Sequence, residues 1–228
     1  TLIKSISGIR GTIGGEPGNN LTPVDIVESI SAYGAWIKSK YRTSPIKIVI
    51  GRDARISGPM IENICVGTLV ALGIDVINLG LSTTPTVEIA VPKENAHGGI
   101  ILTASHNPKQ WNALKLLNNK GEFISSSDGE LLLEIIKSKK FKYCDVDKIG
   151  SIFKKTNYLD EHISDIIKLD AVDVNLIEKA NFSIVIDAVN SSGGVAVPKL
   201  LSALKCKSIH KIFCEPNGKF PHNPEPLP

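Results

Sequence analysis

The sequence predicts an α/β protein with one three-layer αβα domain, built on a mixed, largely parallel sheet, and the first part of a second similar domain. Short β-branched apolar runs alternate with longer segments of helical periodicity, and Gly- or Pro-marked loops separate them. This alternation is typical of βαβ units, in which a helix crosses between parallel strands. A chain of 228 residues has room for one large domain or about one and a half ordinary ones.

The first unit opens with a helix over Pro23–Lys40. Thr22 is a suitable N-cap, Pro23 suits the first helical turn, and Asp25 completes a capping box. A second helix is expected over 59–72, where Gly73 suits a left-handed cap. The remaining elements expected in this unit are strands at 47–51, 75–79 and 99–103, a hairpin of 113–117 with 122–124, and helices at 84–91 and 128–138.

A linker is expected over 139–151, because these residues are polar and show no periodic pattern. We therefore predict domains at 1–150 and 151–228, with a helix over 159–168 near the boundary. The second domain begins with a strand at 182–187, a turn at Gly193-Gly194, a helix to residue 204 and a strand at 208–213. The chain lacks an initial Met and ends in Pro-rich residues, which predicts a fragment.

Composition and charge exclude several classes of protein. Basic residues outnumber acidic ones only by 26 to 23 and form no block, so we expect no nucleic-acid or membrane partner. The four cysteines lack CxxC spacing, which argues against a disulfide scaffold or zinc site. No apolar run approaches the roughly 18 residues of a spanning helix. We expect a cytoplasmic protein with free thiols, either a monomer or a homodimer.

The strongest local motif is Thr103-Ala-Ser-His-Asn-Pro108, at the carboxyl end of a predicted buried strand. Open α/β sheets place their ligand-binding loops there. A serine hydroxyl needs activation to act as a nucleophile, and His106 adjoins Ser105, although neighbours in a loop often point apart. The alternative is that Ser105 and Asn107 only shape a turn. No GxGxxG or GxxxxGK[ST] motif supports a dinucleotide or P-loop site.

Further motifs accompany the serine segment. They are Gly8-Ile-Arg-Gly11, Gly51-Arg-Asp-Ala-Arg-Ile-Ser-Gly58, Trp111-Asn-Ala-Leu-Lys115 and Asp187-Ala-Val-Asn-Ser-Ser-Gly-Gly194. Together they resemble the α-D-phosphohexomutase family, which includes phosphoglucomutases, phosphomannomutases and phosphoglucosamine mutases. The resemblance runs through the whole chain.

The resemblance implies that Ser105 carries a phosphoryl group and gives it to a sugar phosphate. A sugar bisphosphate forms, returns its other phosphoryl group to the serine, and also serves as the activator. Lys115 and Arg10 match the family's acid–base pair, and His106 joins them as a catalytic candidate. The candidates for the phosphate and substrate loops are Asn107, Arg52, Asp53, Arg55, Ser57 and Asn112. Mg²⁺ is the implied cofactor, bound by the phosphoserine and by an aspartate loop that these residues do not contain.

The residues alone leave other interpretations open. Lys115 could be the polar face of an alternating strand, and it would need a lowered pKa to act as a base, for which Arg10 is a possible cause. Ala113 stands where the family usually has glycine. The loop 52–57 could be an ordinary solvated loop. Two rival functions are a phosphatase that hydrolyses its phosphoserine and a non-catalytic domain that binds sugar phosphates.

Overall fold

The computed structural model describes residues 1–5, 8–42 and 44–225, so the Pro-rich residues 226–228 lie outside the described part. Its main element is a seven-stranded sheet, and a two-stranded sheet follows in the second unit. The strands are β1 (Leu2–Ser5), β2 (Gly8–Thr12), β3 (Lys47–Arg52), β4 (Asp75–Leu81), β5 (Gly98–Leu102), β6 (Trp111–Leu117), β7 (Ile152–Lys154), β8 (Ser183–Asp187) and β9 (Ser208–Ile212).

The larger sheet has the strand order β1-β2-β6-β5-β3-β4-β7. Its strands β5, β3, β4 and β7 run parallel, whereas β1, β2, β6 and β5 are joined by antiparallel pairs. The pair β8 and β9 is also parallel. Parallel pairs are therefore in the majority in the described part, and the expected mixed, largely parallel α/β fold is confirmed.

Helices cover both faces of the larger sheet. The helices of the described part are α1 (Pro23–Lys40), α2 (Gly58–Ala71), α3 (Thr84–Lys93), α4 (Ser126–Ser138), α5 (Tyr158–Ile166), α6 (Val174–Ala180) and α7 (Gly193–Ala203), of which α1 to α4 pack on the larger sheet. The helix α1 has the predicted bounds, because Thr22 accepts the Asp25 N–H and Asp25 accepts the Thr22 N–H. The predicted left-handed Gly73 after α2 is present, with φ +74°.

Two apolar clusters separate the three layers. One lies under α1, α2 and α4 and includes Ile48 and Ile50 of β3, and the other lies under α3 and includes Val49. Successive residues of a strand point to opposite faces, so a strand covered on both faces is apolar throughout. This explains why β3 and β5 read as continuous apolar runs. Among the described helices, none is long and apolar enough to cross a membrane.

Several predicted elements need correction. Residues 122–124 form no strand, because only an isolated bridge joins Leu117 to Phe123. The turn before them places Gly121 so close to α3 that an added Cβ would lie 2.0 Å from the Glu88 carbonyl oxygen. Gly193 and Gly194 begin α7 and do not form a separate turn. The strands β1, β2 and β7 and the helix α6 were not predicted, because they are short and lack strong periodicity.

The second unit contacts the first through α5, which packs on both α3 and α7. The strand β7 follows the predicted boundary near residue 150, yet it pairs with β4 of the first sheet. The division into domains at 1–150 and 151–228 stays a prediction.

Candidate active site

The candidate site is built where β5 and β3 end. The strand β5 leads into the serine loop (residues 103–110), and the neighbouring parallel strand β3 leads into the loop 53–57 before α2. Because parallel strands end at the same edge of a sheet, the two loops meet. A hydrogen bond from the Asp53 N–H to the Leu102 carbonyl, at 3.0 Å, joins them.

Ser105 lies at an exposed position of the serine loop in a left-handed backbone conformation, with φ +53°. This conformation is uncommon for residues other than glycine and persists only where the surroundings enforce it. The Ser105 N–H donates to Thr103 Oγ1 at 3.0 Å. The Asn107 N–H donates to the Ala104 carbonyl at 3.0 Å and closes the turn. The loop therefore presents the serine outward from a fixed backbone.

Arg55 lies beneath the serine loop, and its side chain has no exposed surface. Its guanidinium donates to the Ser105 and Asn107 carbonyls at 2.8 and 2.7 Å. It also donates to the Pro108 and Trp111 carbonyls at 2.8 and 3.0 Å. The two halves of the loop are thus bound to one buried cation. This contact differs from the phosphate contact that was one expectation for Arg55.

Asp53 compensates the buried charge of Arg55. Its Oδ2 accepts from Arg55 Nε at 3.1 Å and from Thr103 Oγ1 at 2.7 Å, and its Oδ1 accepts the Arg55 N–H at 3.0 Å. Burial lowers the pKa of Arg55, and the neighbouring Asp53 charge opposes that effect. Because arginine is not deprotonated in proteins, the guanidinium stays charged at neutral pH.

Arg52 of β3, Ser57 of the loop 53–57 and Asn112 of β6 have separate contacts. Arg52 donates to a carboxylate oxygen of Glu62, on α2, at 2.5 Å and to the Asp53 carbonyl at 3.1 Å. Asn112 is fully buried, and its amide donates to Ser57 Oγ at 2.9 Å. Arg52 therefore binds α2, whereas Ser57 and Asn112 connect the start of α2 to β6.

Arg10 and Lys115 lie on neighbouring strands. Arg10 of β2 pairs with Ala113 of β6, and Lys115 follows two residues later, so the three side chains share one face of the sheet. Arg10 and Lys115 line one cavity of about 310 Å³ together with Phe123, whose ring centroid lies 6.0 Å from Lys115 Nζ. Burial raises the pKa of nearby Glu88, and the Lys115 charge partly offsets this. The arrangement concentrates positive charge in an open pocket.

His106 is exposed, and its Nε2 lies 3.3 Å from the Glu225 carboxylate. Within the described part of the chain, no hydrogen bond joins His106 to Ser105. The two residues are adjacent in sequence, but the structure gives no sign that the imidazole activates the hydroxyl.

The sequence interpretation missed a contact from the second unit. The Phe220 ring lies 5.1 Å from the Arg55 guanidinium carbon. Gly218, with φ +71°, packs so closely that an added Cβ would lie 2.2 Å from the Ala54 carbonyl oxygen. In the sequence, the only local signal of this close packing was Gly218 itself, which lies among polar and proline residues. The segment after β9 therefore covers the loop that holds Arg55.

The described residues do not by themselves provide a magnesium site. No group of three or more His, Cys, Asp or Glu side chains in residues 1–5, 8–42 and 44–225 is arranged to hold a metal. Mg²⁺ prefers several hard oxygen ligands. Of the Mg²⁺ ligands that the resemblance implies, only Ser105 belongs to these residues.

The four cysteines are free thiols.

Two family models match the chain. Residues 2–143 match "Phosphoglucomutase/phosphomannomutase, alpha/beta/alpha domain I", and residues 160–228 match the corresponding domain II.

Curated relatives and solved structures agree with these matches. The chain is 34% identical over 220 residues to a phosphoglucomutase/phosphomannomutase of Thermococcus kodakarensis, covering 96% of the chain and 46% of that protein. A probable phosphoglucosamine mutase of Methanosarcina acetivorans is 34% identical with the same coverage. A crystal structure of a phosphoglucomutase/phosphomannomutase family protein from Burkholderia thailandensis is 25% identical with a TM-score of 0.77, covering 98% of this chain and 47% of that one. The chain spans about half the length of the curated relatives it matches.

Proposed function

The chain belongs to the phosphoglucomutase/phosphomannomutase family, and from that premise we propose that the whole protein is a phosphohexomutase that uses Ser105 as its phosphoryl carrier. It interconverts the 1- and 6-phosphates of a hexose through a bisphosphorylated sugar. The observation that carries this proposal is the exposed Ser105, held in a left-handed conformation on a loop that a buried cation supports.

The proposed reaction has two phosphoryl transfers. In the first, the bond from phosphorus to Ser105 Oγ breaks, a bond to the free sugar hydroxyl forms, and the hydroxyl proton passes to a base. The bisphosphate then reorients in the site. The bond from its other phosphorus to the sugar oxygen breaks, a bond to Ser105 Oγ forms, and the leaving sugar oxygen takes a proton. Such transfers depend on positioning and on cations that offset charge more than on covalent help.

Lys115 and Arg10 are the candidates for the proton transfers and for charge neutralisation. Their common cavity supports this assignment, because a sugar hydroxyl that enters it meets two cationic side chains. His106, Asn107, Ser57, Asn112, Arg52 and Asp53 stay candidates for the loop functions that the resemblance implies. Mg²⁺ would be held by the phosphoserine together with aspartates that these 228 residues do not contain, and it would offset charge on the transferring phosphoryl group.

The substrate class is the hexose phosphates, namely those of glucose, mannose or glucosamine, with a sugar bisphosphate as the activator. The names of the relatives support this range, because they include phosphoglucomutase/phosphomannomutase and probable phosphoglucosamine mutase. We propose phosphoglucosamine or phosphomannose conversion before glucose.

The test uses the full-length protein with each hexose 1-phosphate in turn. We expect formation of the 6-phosphate without matching release of free phosphate, and an intact mass that shows one phosphoryl group on Ser105. Ser105→Ala should lose conversion by at least about 10³-fold, as expected on removal of a nucleophile. Ser127→Ala, which alters an exposed serine of α4, is the matched control and should not change it.

The possible outcomes separate the rival functions. Free phosphate without isomerised sugar would indicate a phosphatase. Sugar-phosphate binding by a protein that is never phosphorylated would indicate a non-catalytic domain. The 228 residues alone should show no turnover, because the aspartate loop implied for Mg²⁺ is not among them. Turnover by these residues alone would contradict the assignment.

A further inference from the structure

We propose that Arg55 is a positioning residue for phosphoryl transfer, which fixes the backbone of the serine loop and does not touch the phosphoryl group. This inference rests on the proposed function of Ser105. The sequence places Arg55 in a polar loop beside other charged residues, where a phosphate ligand is the simpler expectation. The contacts of its side chain favour a different role.

The hydrogen bonds of Arg55 leave no donor for a substrate. A guanidinium has five N–H donors and no acceptor. One donor binds Asp53, two bind the Pro108 and Trp111 carbonyls, and two bind the Ser105 and Asn107 carbonyls. All five are therefore used within the protein. The side chain also has no exposed surface, so a phosphate could reach it only if the loop opened.

The serine loop needs such a partner because its backbone is otherwise unfavourable. Four carbonyl oxygens from residues 105–111 converge on one point, where they would repel one another and lack partners without a cation. Ser105 is in a left-handed conformation, which costs free energy for a residue with a side chain. The guanidinium satisfies the carbonyls and so maintains the conformation that presents Ser105.

The planar shape of the guanidinium matters as well as its charge. Asp53 binds one edge and Thr103 binds Asp53, so the cation has a fixed orientation. The Phe220 ring covers the guanidinium at 5.1 Å. A lysine has three donors on a flexible stem and cannot reach all of these acceptors together. We therefore expect lysine to preserve the charge at this position without preserving the loop.

The experiment compares Arg55→Lys and Arg55→Met with wild type in the full-length protein. For each protein we would measure kcat and KM with the hexose 1-phosphate that the wild type converts fastest. We would also measure the rate at which the matching hexose 1,6-bisphosphate phosphorylates Ser105, and the thermal midpoint. Misplacement of a reacting group by about 1 Å can cost about 10²-fold in rate. We expect both variants to lose about 10²-fold in kcat and in phosphorylation rate, with KM within about threefold of wild type.

The matched control is Leu69→Ala, which removes a buried side chain near the C-terminal end of α2, the end farther from the loop that holds Arg55. It should lower the thermal midpoint but keep kcat within about twofold when assayed well below that midpoint. If Leu69→Ala lowered kcat as much as Arg55→Lys at equal loss of midpoint, a purely structural role for Arg55 would account for the data and the proposal would fail.

Other outcomes also decide the matter. A near-normal kcat for Arg55→Lys would show that charge alone suffices, and a raised KM with normal kcat would show a substrate contact; either overturns the proposal. If neither Arg55 variant folds, Phe220→Leu is the second variant. It should lower kcat about two- to fivefold through loss of the ring over the cation, and an unchanged kcat would overturn the proposal. A wild-type protein without phosphoserine or conversion would instead overturn the proposed function itself.

Discussion

Replacing Thr103 with valine should loosen the serine loop with little change in the shape of the buried side chain. The Thr103 hydroxyl makes two hydrogen bonds: it donates to Asp53 Oδ2 at 2.7 Å and accepts the Ser105 N–H at 3.0 Å. Thr103 itself is only 8% exposed. Valine keeps the shape and removes both bonds, so the substitution measures what the hydroxyl contributes.

The size of the effect follows from the two partners. A hydrogen bond to a charged group contributes about 1.5–3 kcal/mol, and one between neutral groups about 0.5–1.5 kcal/mol. The Ser105 N–H belongs to an exposed residue and can bind water after the change. The loss of its hydrogen bond should therefore cost close to the lower value, about 0.5 kcal/mol. We expect Thr103→Val to lower the free energy of unfolding by about 2–3 kcal/mol and to lower the thermal midpoint accordingly.

The assay is thermal unfolding of the full-length protein, followed by circular dichroism, with Thr103→Ser as the control. Serine keeps the hydroxyl and both hydrogen bonds but loses one methyl group. Thr103→Val therefore reports the loss of the hydroxyl, and Thr103→Ser reports the loss of the methyl group alone. If Thr103→Val stayed within about 0.5 kcal/mol of wild type, the usual range for sites without special contacts, the hydroxyl would not hold the loop and the reasoning would be refuted.

Two further predictions concern regions away from the serine loop. Gly98→Ala should destabilise the protein by about 1–3 kcal/mol in urea unfolding, since the new Cβ would lie 2.2 Å from the hydroxyl oxygen of Tyr33 on α1. The control Gly67→Ala lies in open space inside α2 and should stabilise the protein by about 0.5–1 kcal/mol. Equal effects of the two substitutions would contradict the packing argument. The His222 imidazole should titrate above its ordinary pKa of 6.5 in an NMR titration. The main cause of the raised pKa is its hydrogen bond to the Asn223 carbonyl, and its hydrogen bond to Asp187 adds to the effect. Its contribution to stability is complete below pH 6.5 and is lost as pH rises through the raised pKa; Asp187→Asn should shift the midpoint down, and no shift would argue against the contact.

The elements that the sequence predicted correctly are those whose causes lie within a few residues. The bounds of α1 follow from a capping box and a proline at the start of the helix. The strands β3 and β5 follow from apolar runs that two covered faces require. The position of Ser105 just after a buried strand follows from the same runs. The motifs also indicated the family, because several of them occur together along the chain, and the family matches agree.

Several contacts between residues far apart in the chain became visible in the folded protein and were not predicted. The local pattern of residues 122–124 favoured a strand, but the structure has a single bridge there, after a turn in which Gly121 packs closely on α3. Arg55 reads as a solvated or phosphate-binding residue, yet its carbonyl partners in the serine loop begin 50 residues later. Phe220 comes from another unit altogether. Parallel pairing of β3 with β5 brings these groups together, and pairing over such a separation leaves no mark in the spacing of nearby residues.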